Sequence, residues 1–373
     1  MTIPFLSLKE QTAALKSEVM AAIEKVIDTQ GFANGPAVEA FEKKLASYLG
    51  VKEVVCVNTG TTSLQAALVA CDVKEGDDVL TVSHTWISTA WAVSYVGARP
   101  VFCDIDPATC GLDPKELAKK ITPKTKAILP VHLYGQPVDL DPILEFAKQK
   151  GLPVIEDTAQ AVGAKYKGKR VGSFGTVNAT SFYPGKNLGA WGEGGACMTD
   201  DSEKAARIRR LRDHAQLGRH NHVEIGFNWR LDGFQGAVLG IKLDHLDAWN
   251  ARRRAIADRY LPAFEGLPGV RTLPKQPYPA ASDAIWHIFP IFHDKRDEFR
   301  AALEKRGVQS GVHYPKPVHL QPAYAHLGVA AGSLPNAEKA AATEISLPMF
   351  PELTDAQADE VIAAVKAVAA ELA

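Results

Sequence analysis

Short apolar runs alternate with helically spaced ones along much of the chain. Glu53 to Val57, Val79 to Ser83, Pro100 to Asp104, Ala127 to His132, Pro153 to Glu156, Ala179 to Tyr183 and Ala196 to Thr199 read as strands. Thr61 to Ala70, Ser88 to Tyr95 and Leu140 to Lys150 read as helices between them, and Asp113-Pro114-Lys115-Glu116 opens another with a cap, a proline and an early acid. Short apolar strands alternating with helices imply crossover connections and a mostly parallel sheet covered on both faces, hence an α/β domain. Two helices precede it, Ser7 to Asp28 and about Pro36 to Leu49. After it the helices lengthen, with Ser202 to His214 and then Asp232 to Tyr260, the latter with a break near Asp247. A strand Trp286 to Phe292, a helix Arg296 to Arg306, a Pro-rich stretch from Pro315 to Pro322, and a last helix capped by Thr354 and Gln357 suggest a smaller α+β unit. The pattern divides into 1–249 and 250–373.

Length supports that division: 373 residues, 46% of them hydrophobic, exceed the ~250–300 at which single cores stop growing. A net charge of −1 gives no electrostatic case for nucleic acid. The five cysteines are scattered, with no Cys-x-x-Cys pair, and read as reduced core residues rather than a disulfide framework or a metal site. No apolar run approaches the ~20 residues of a membrane span, and Met1 to Gln30 is charged and amphipathic, so a cytoplasmic protein is expected.

Ser181 to Gly195 holds a single lysine, Lys186, just past a strand end among glycines. Open α/β sheets hold ligands at that edge. Such a lysine can bind phosphate, sit on the surface, or act as an amine that condenses with a carbonyl. Asp157 follows another strand and can equally cap the next helix. A lysine and an aspartate, both at strand ends, are what a pyridoxal phosphate enzyme requires, one for the carbonyl and one for the pyridine nitrogen. Thr59-Gly60-Thr61-Thr62-Ser63 opens a helix after the first core strand and can cup a phosphate or serve as an ordinary N-cap. Trp86 can stack on a flat ring or lie in the core. Neither Gly-x-Gly-x-x-Gly after a strand nor a Gly-x-x-x-x-Gly-Lys-Ser/Thr loop is present, so the two common nucleotide fingerprints are absent.

With Val131-His132-Leu133-Tyr134-Gly135-Gln136, Glu156-Asp157-Thr158-Ala159-Gln160, Ser181 to Gly195, Gly226 to Asp232 and His313-Tyr314-Pro315, nearly the whole chain resembles the DegT/DnrJ/EryC1/StrS sugar aminotransferases. The resemblance implies fold type I of pyridoxal phosphate enzymes: a large domain with a mostly parallel seven-stranded sheet between helices, and a smaller C-terminal α+β domain. It implies Lys186 as the Schiff-base lysine, Asp157 at the ring nitrogen, Gln160 near the ring hydroxyl, Trp86 on the ring, and Gly60, Thr61 and Ser181 around the phosphate. Asn228 is expected to reach the phosphate of a neighbouring subunit in a homodimer, and Tyr183, His220, His313 and Tyr314 to line the substrate pocket.

The same resemblance implies L-glutamate as donor and a nucleotide-linked keto-sugar as acceptor, in amino-sugar and glycan biosynthesis. Relatives with histidine at the lysine position are dehydratases or deoxygenases, so Lys186 favours transamination. The stretch His313 to Tyr324, with Asp213-His214 and Gly226 to Gln235, looks most like members aminating C3 of a dTDP-linked 3-keto-6-deoxyhexose. Arg219-His220-Asn221-His222 departs from that subgroup, which often has a tyrosine there, leaving a UDP-linked 3-keto or a 4-keto sugar open. A catalytically silent pyridoxal-binding regulator is the reading from another class, and intact Lys186, Asp157 and Gln160 argue against it.

Overall fold

The computed structural model describes residues 2–275, 278 and 282–373. In chain order its first part runs α1 (Lys9–Thr29), α2 (Gly35–Leu49), β1 (Glu53–Val57), α3 (Gly60–Ala70), β2 (Asp78–Val82), α4 (Ser88–Tyr95), β3 (Arg99–Cys103), α5 (Pro114–Lys120), β4 (Thr125–Leu129) and α6 (Leu140–Lys150). A two-residue hairpin follows, β5 (Lys165–Tyr166) and β6 (Lys169–Arg170), then β7 (Asn178–Ser181), β8 (Gly195–Thr199), α7 (Ser202–Leu211) and α8 (Gly233–Phe264). The rest comprises β9 (Arg271–Thr272), β10 (Phe289–Phe292), α9 (Arg296–Lys305), α10 (Pro335–Thr343), β11 (Glu344–Leu347) and α11 (Asp355–Glu371).

The strands join into the expected sheet. β3 and β4 flank β2 in parallel, Val154 bridges Ile128 in parallel, and Asp157 bridges Val131 on one side and Ala179 of β7 on the other. β7 pairs with β8 and β8 with β1, both antiparallel. The order is therefore β3-β2-β4, the bridged segment 154–157, then β7-β8-β1, with β8 alone reversed. The C-terminal ends of β1, β2, the bridged segment and β7 consequently open on one edge. Val79, Leu80, Ala127, Ile128 and Ile155 have no measurable exposure, as strands covered on both faces require. All five cysteines are buried and free, as expected.

The second sheet, β11-β10-β9, is antiparallel and packs α9, which in turn packs α11. The strand expected over Trp286 to Phe292 starts only at Phe289, because Trp286 has φ +48°, in the left-handed region a strand cannot use. The break expected near Asp247 is absent: α8 continues to Phe264, across the expected division at 249/250. The helix expected to reach His214 stops at Leu211, since His214 and Ala215 have φ +59° and +53°. Ser83, just past β2, accepts the N–H of His319 at 3.0 Å and meets His319 Nδ1 at 2.6 Å, while His319 Nε2 lies 3.2 Å from Glu338 Oε1. That cluster fastens the 315–322 segment onto the large sheet.

Candidate active site

A cavity of about 800 Å³ lies at the carboxyl edge of the large sheet. Several of its walls are the ends of strands. After β1, Thr59 caps α3, its hydroxyl accepting the N–H of Thr62 at 3.0 Å, so the N-terminus of α3 faces the cavity. A Cβ on Gly60 would fall 2.4 Å from Ser181 Cβ, so only glycine lets this helix start abut the end of β7. Thr61 Oγ1 donates to Ser88 Oγ at 2.8 Å, tying in the start of α4. Thr59, Gly60, Thr61, Ser88 and Ser181 form a cradle of hydroxyls and a helix N-terminus suited to a phosphate.

Asp157 is 4% exposed and accepts two bonds among the described residues, from Thr89 Oγ1 at 3.0 Å and Ala159 N–H at 3.1 Å. Burial raises its carboxyl above the ordinary range; these two bonds and the charge of Lys186 work against that. Its two carboxylate oxygens keep capacity for a further, preferably cationic, donor.

Lys186 opens from the turn after β7, where its N–H donates to the Tyr183 carbonyl at 2.8 Å. A Cβ on Gly189 would fall 2.2 Å from the Pro184 carbonyl oxygen, so the turn closes only around glycine. Side chains of α8 hold this loop: Gln235 accepts the Trp191 N–H at 3.0 Å, Lys242 donates to the Gly189 carbonyl, and Asn250 accepts from Asn187 Nδ2 at 2.7 Å. Desolvation lowers the Lys186 amine to about 8, with Asp157 opposing the shift. The pair therefore tunes in opposite senses, as expected where a group must react.

The remaining walls bring in other parts of the chain. Gln160 Oε1 accepts the Tyr134 N–H at 2.6 Å and its amide donates to Tyr314 Oη at 3.1 Å. Tyr134 can only donate there, which fixes the amide and leaves Gln160 one further N–H. Trp86, 55% exposed, lies with its ring 5.3 Å from that of Tyr314. His313 stacks on Phe5 and meets Ser346 Oγ at 2.8 Å.

Gly60, Thr61, Trp86, Asp157, Gln160, Ser181, Tyr183, Lys186, His313 and Tyr314 thus meet in one cavity. Asn228 and His220 do not line it; both are exposed, on the 213–230 segment. The cavity also takes in Phe5, Thr89 and His287, which sequence reasoning passed over. Thr89 lay three positions beyond Trp86 at the same strand end and was open to inference; His287, 101 positions beyond Lys186, had no local signal.

These residues fit a phosphorylated pyridine: a cradle at one end, an apolar aromatic wall, an acid with spare acceptors, and a desolvated amine. The comparisons agree. A dTDP-3-amino-3,4,6-trideoxy-alpha-D-glucose transaminase from Streptomyces venezuelae is 46% identical over 98% of this chain and 95% of its own. A UDP-2-acetamido-2-deoxy-3-oxo-D-glucuronate aminotransferase from Pseudomonas aeruginosa is 40% identical over 97% of this chain and 99% of its own. The crystal structure of Streptomyces venezuelae DesV in complex with a ketimine intermediate superposes with a TM-score of 0.95 at 46% identity, covering 99% of this chain and 98% of that one. Residues 13–366 match the DegT/DnrJ/EryC1/StrS aminotransferase family, whose members work with pyridoxal phosphate. By sequence, by fold and by the cavity at its sheet edge, this chain belongs to that family and is a fold type I aminotransferase.

Proposed function

We propose that this aminotransferase moves the amino group of L-glutamate to C3 of a dTDP-linked 3-keto-6-deoxyhexose, giving the 3-amino sugar and 2-oxoglutarate. The observation that carries the chemistry is the convergence of a desolvated Lys186 and a buried, under-bonded Asp157 on one cavity. The nucleotide and carbon follow relatives named as dTDP-3-amino-sugar transaminases, at 46%, 40% and 39% identity. A UDP-linked 3-keto sugar is the second reading, favoured by relatives at 40% and 41% identity named for UDP sugars.

Bound pyridoxal phosphate supplies a carbonyl for the donor amine and a ring that accepts electrons. The N-terminus of α3 with Thr61 and Ser181 would hold the phosphate, and Trp86 would pack against the ring. Asp157 would accept a bond from the protonated ring nitrogen, its burial keeping such a bond in a low dielectric. Gln160 would offer its remaining N–H to the ring hydroxyl. Lys186 would hold the cofactor's carbonyl carbon and would serve as the group that moves a proton at the donor's α-carbon, a role its amine pKa of about 8 suits near neutral pH. Tyr183, His313 and Tyr314 contact the sugar nucleotide.

The exposed apolar residues Leu217, Val223 and Ile225, at 63%, 48% and 89%, support a homodimer in which the 213–230 segment, with Asn228 and His220, completes a neighbouring cavity. Light scattering checks this: a monomeric holoenzyme with full activity sinks the shared site.

The test of the chemistry is the visible spectrum with pyridoxal phosphate before and after L-glutamate. The expected outcome is a yellow holoenzyme that bleaches with glutamate, and a Lys186→Ala variant that binds cofactor without turnover. Turnover by that variant would overturn the assignment. Comparing kcat/KM for dTDP- and UDP-linked 3-keto sugars decides the nucleotide.

A further inference from the structure

We infer that His287 is a positioning residue for Lys186, held by a relay of two buried amides so that its Nε2 offers a lone pair, and no proton, to the lysine amine. This rests on the reading of Lys186 as the proton carrier. The relay starts at the Val162 carbonyl, which can only accept, so the Asn250 amide nitrogen 3.2 Å away must donate. That leaves Asn250 Oδ1 facing Asn187, which donates Nδ2 to it at 2.7 Å. The Ile285 carbonyl, 3.4 Å from the same Asn187 nitrogen, demands the same orientation. Asn187 Oδ1 then faces His287 Nδ1 at 3.0 Å, and two acceptors cannot share that contact: Nδ1 carries the proton.

Asn250 and Asn187 are 1% and 6% exposed, so flipping either would strand buried polar groups without partners. The tautomer is thus imposed from the protein interior. His287 itself is half-buried and lines the cavity with Lys186, the residue before Asn187. Its Nε2 has no hydrogen-bond partner among the described residues, yet it is not one of the enclosed unpaired atoms, so it is open to the cavity.

The titratable groups facing His287 are Lys186, Arg253 and His313, all cationic when protonated and none a carboxylate. Burial and these three hold the imidazole well below its ordinary range, so it stays neutral at working pH. A free Lys186 amine, lowered to about 8, is still largely protonated near pH 7 and needs an acceptor while it waits. Asp157 is committed to the ring. A neutral acceptor fills this need without adding a charge that would raise the amine again.

The test begins with the apoprotein. In protein labelled with nitrogen-15 at histidine, the His287 signals, identified by their loss in His287→Phe, should show the Nδ1–H tautomer, and Asn187→Ala should give a mixture of tautomers. In the holoenzyme, His287→Phe and Asn187→Ala should slow the single-turnover reaction with glutamate by about 10- to 100-fold, leaving cofactor affinity unchanged. The isotope effect with α-deuterated glutamate should grow in both, which a merely structural change would not cause. His287→Gln, which retains an acceptor, should recover part of the rate. An Nε2–H tautomer in the wild type, or wild-type rates in His287→Phe, overturns the inference. Wild type that fails to bleach with glutamate is instead a failure of the proposed function. Should His287→Phe not fold, the tautomer of the wild type, assigned with His287→Gln, still decides.

Discussion

Glu156 and Asp157 are adjacent carboxylates on one bridged strand segment, and their side chains point to opposite faces. Glu156 is wholly buried, and burial alone would raise its carboxyl. It accepts from His132 Nε2 at 3.0 Å and from the N–H groups of Gly172, Phe174 and Gly175 at 2.8, 2.7 and 2.8 Å. These bonds more than offset burial, and its pKa is lowered. Asp157, almost as buried, has two donors, and burial wins. The same residue chemistry, one position apart, yields a finished structural joint on one face and an unfinished one on the other. An acid whose bonding is left incomplete is one prepared for a ligand.

The largest effect should come from completing the contrast at its functional end. Asp157→Ala should reduce the glutamate half-reaction by about 10²–10⁴-fold while leaving the thermal midpoint unchanged or higher, since an unrewarded buried acid is removed. Stopped-flow bleaching with parallel melts checks both, and a large loss of stability would put Asp157 with Glu156 as a structural acid. Glu156→Gln should do the reverse. It should cost roughly 3–5 kcal/mol in urea unfolding, because His132 and three backbone N–H groups lose their anion, while the rate per folded molecule stays near wild type.

Glu344 sharpens the comparison as a second buried carboxyl whose two donors do not offset burial. Burial raises it to about 8, against a bond from Ser346 and the His313 N–H at 2.6 Å. A carboxyl raised on folding gives stability that is present below its ordinary value of 4.5 and lost as pH rises through about 8. Melts of wild type and Glu344→Gln should therefore diverge in favour of the variant as pH rises across that window; parallel curves would remove Glu344 from the series. The smallest effect concerns Lys186. Cofactor uptake by the apoprotein needs the neutral amine, so its rate should rise with pH through about 8. In Asp157→Asn the opposing carboxylate is gone, and the midpoint should move below 8; an unmoved midpoint would mean the two residues do not sense each other.

Strand ends were legible because short apolar runs stopped at residues with unusual chemistry, as at Asp157 and Lys186. The partners that tune those residues were not. Thr89 is one threonine among many until α4 turns it onto Asp157, and the role of His287 depends on a carbonyl at Val162 and two amides far apart in the chain. Local backbone handedness was also invisible: Trp286 is β-prone by type, yet its positive φ delays β10. The seven-stranded sheet could be expected from the family resemblance, while the reversed direction of β8 follows only from long-range pairing with β1.

Ser83, His319 and Glu338 have the composition of a hydrolase's nucleophile, base and acid, and the hydroxyl–imidazole contact of 2.6 Å would satisfy a template search. Ser83 and His319 are 0% and 2% exposed, and the serine oxygen already accepts a backbone N–H. No ester can reach them, and a fluorophosphonate reagent should pass this protein by. The arrangement works as a rivet between segments, and it shows that solvent access, more than the identity of three neighbouring side chains, separates a fastening from a machine.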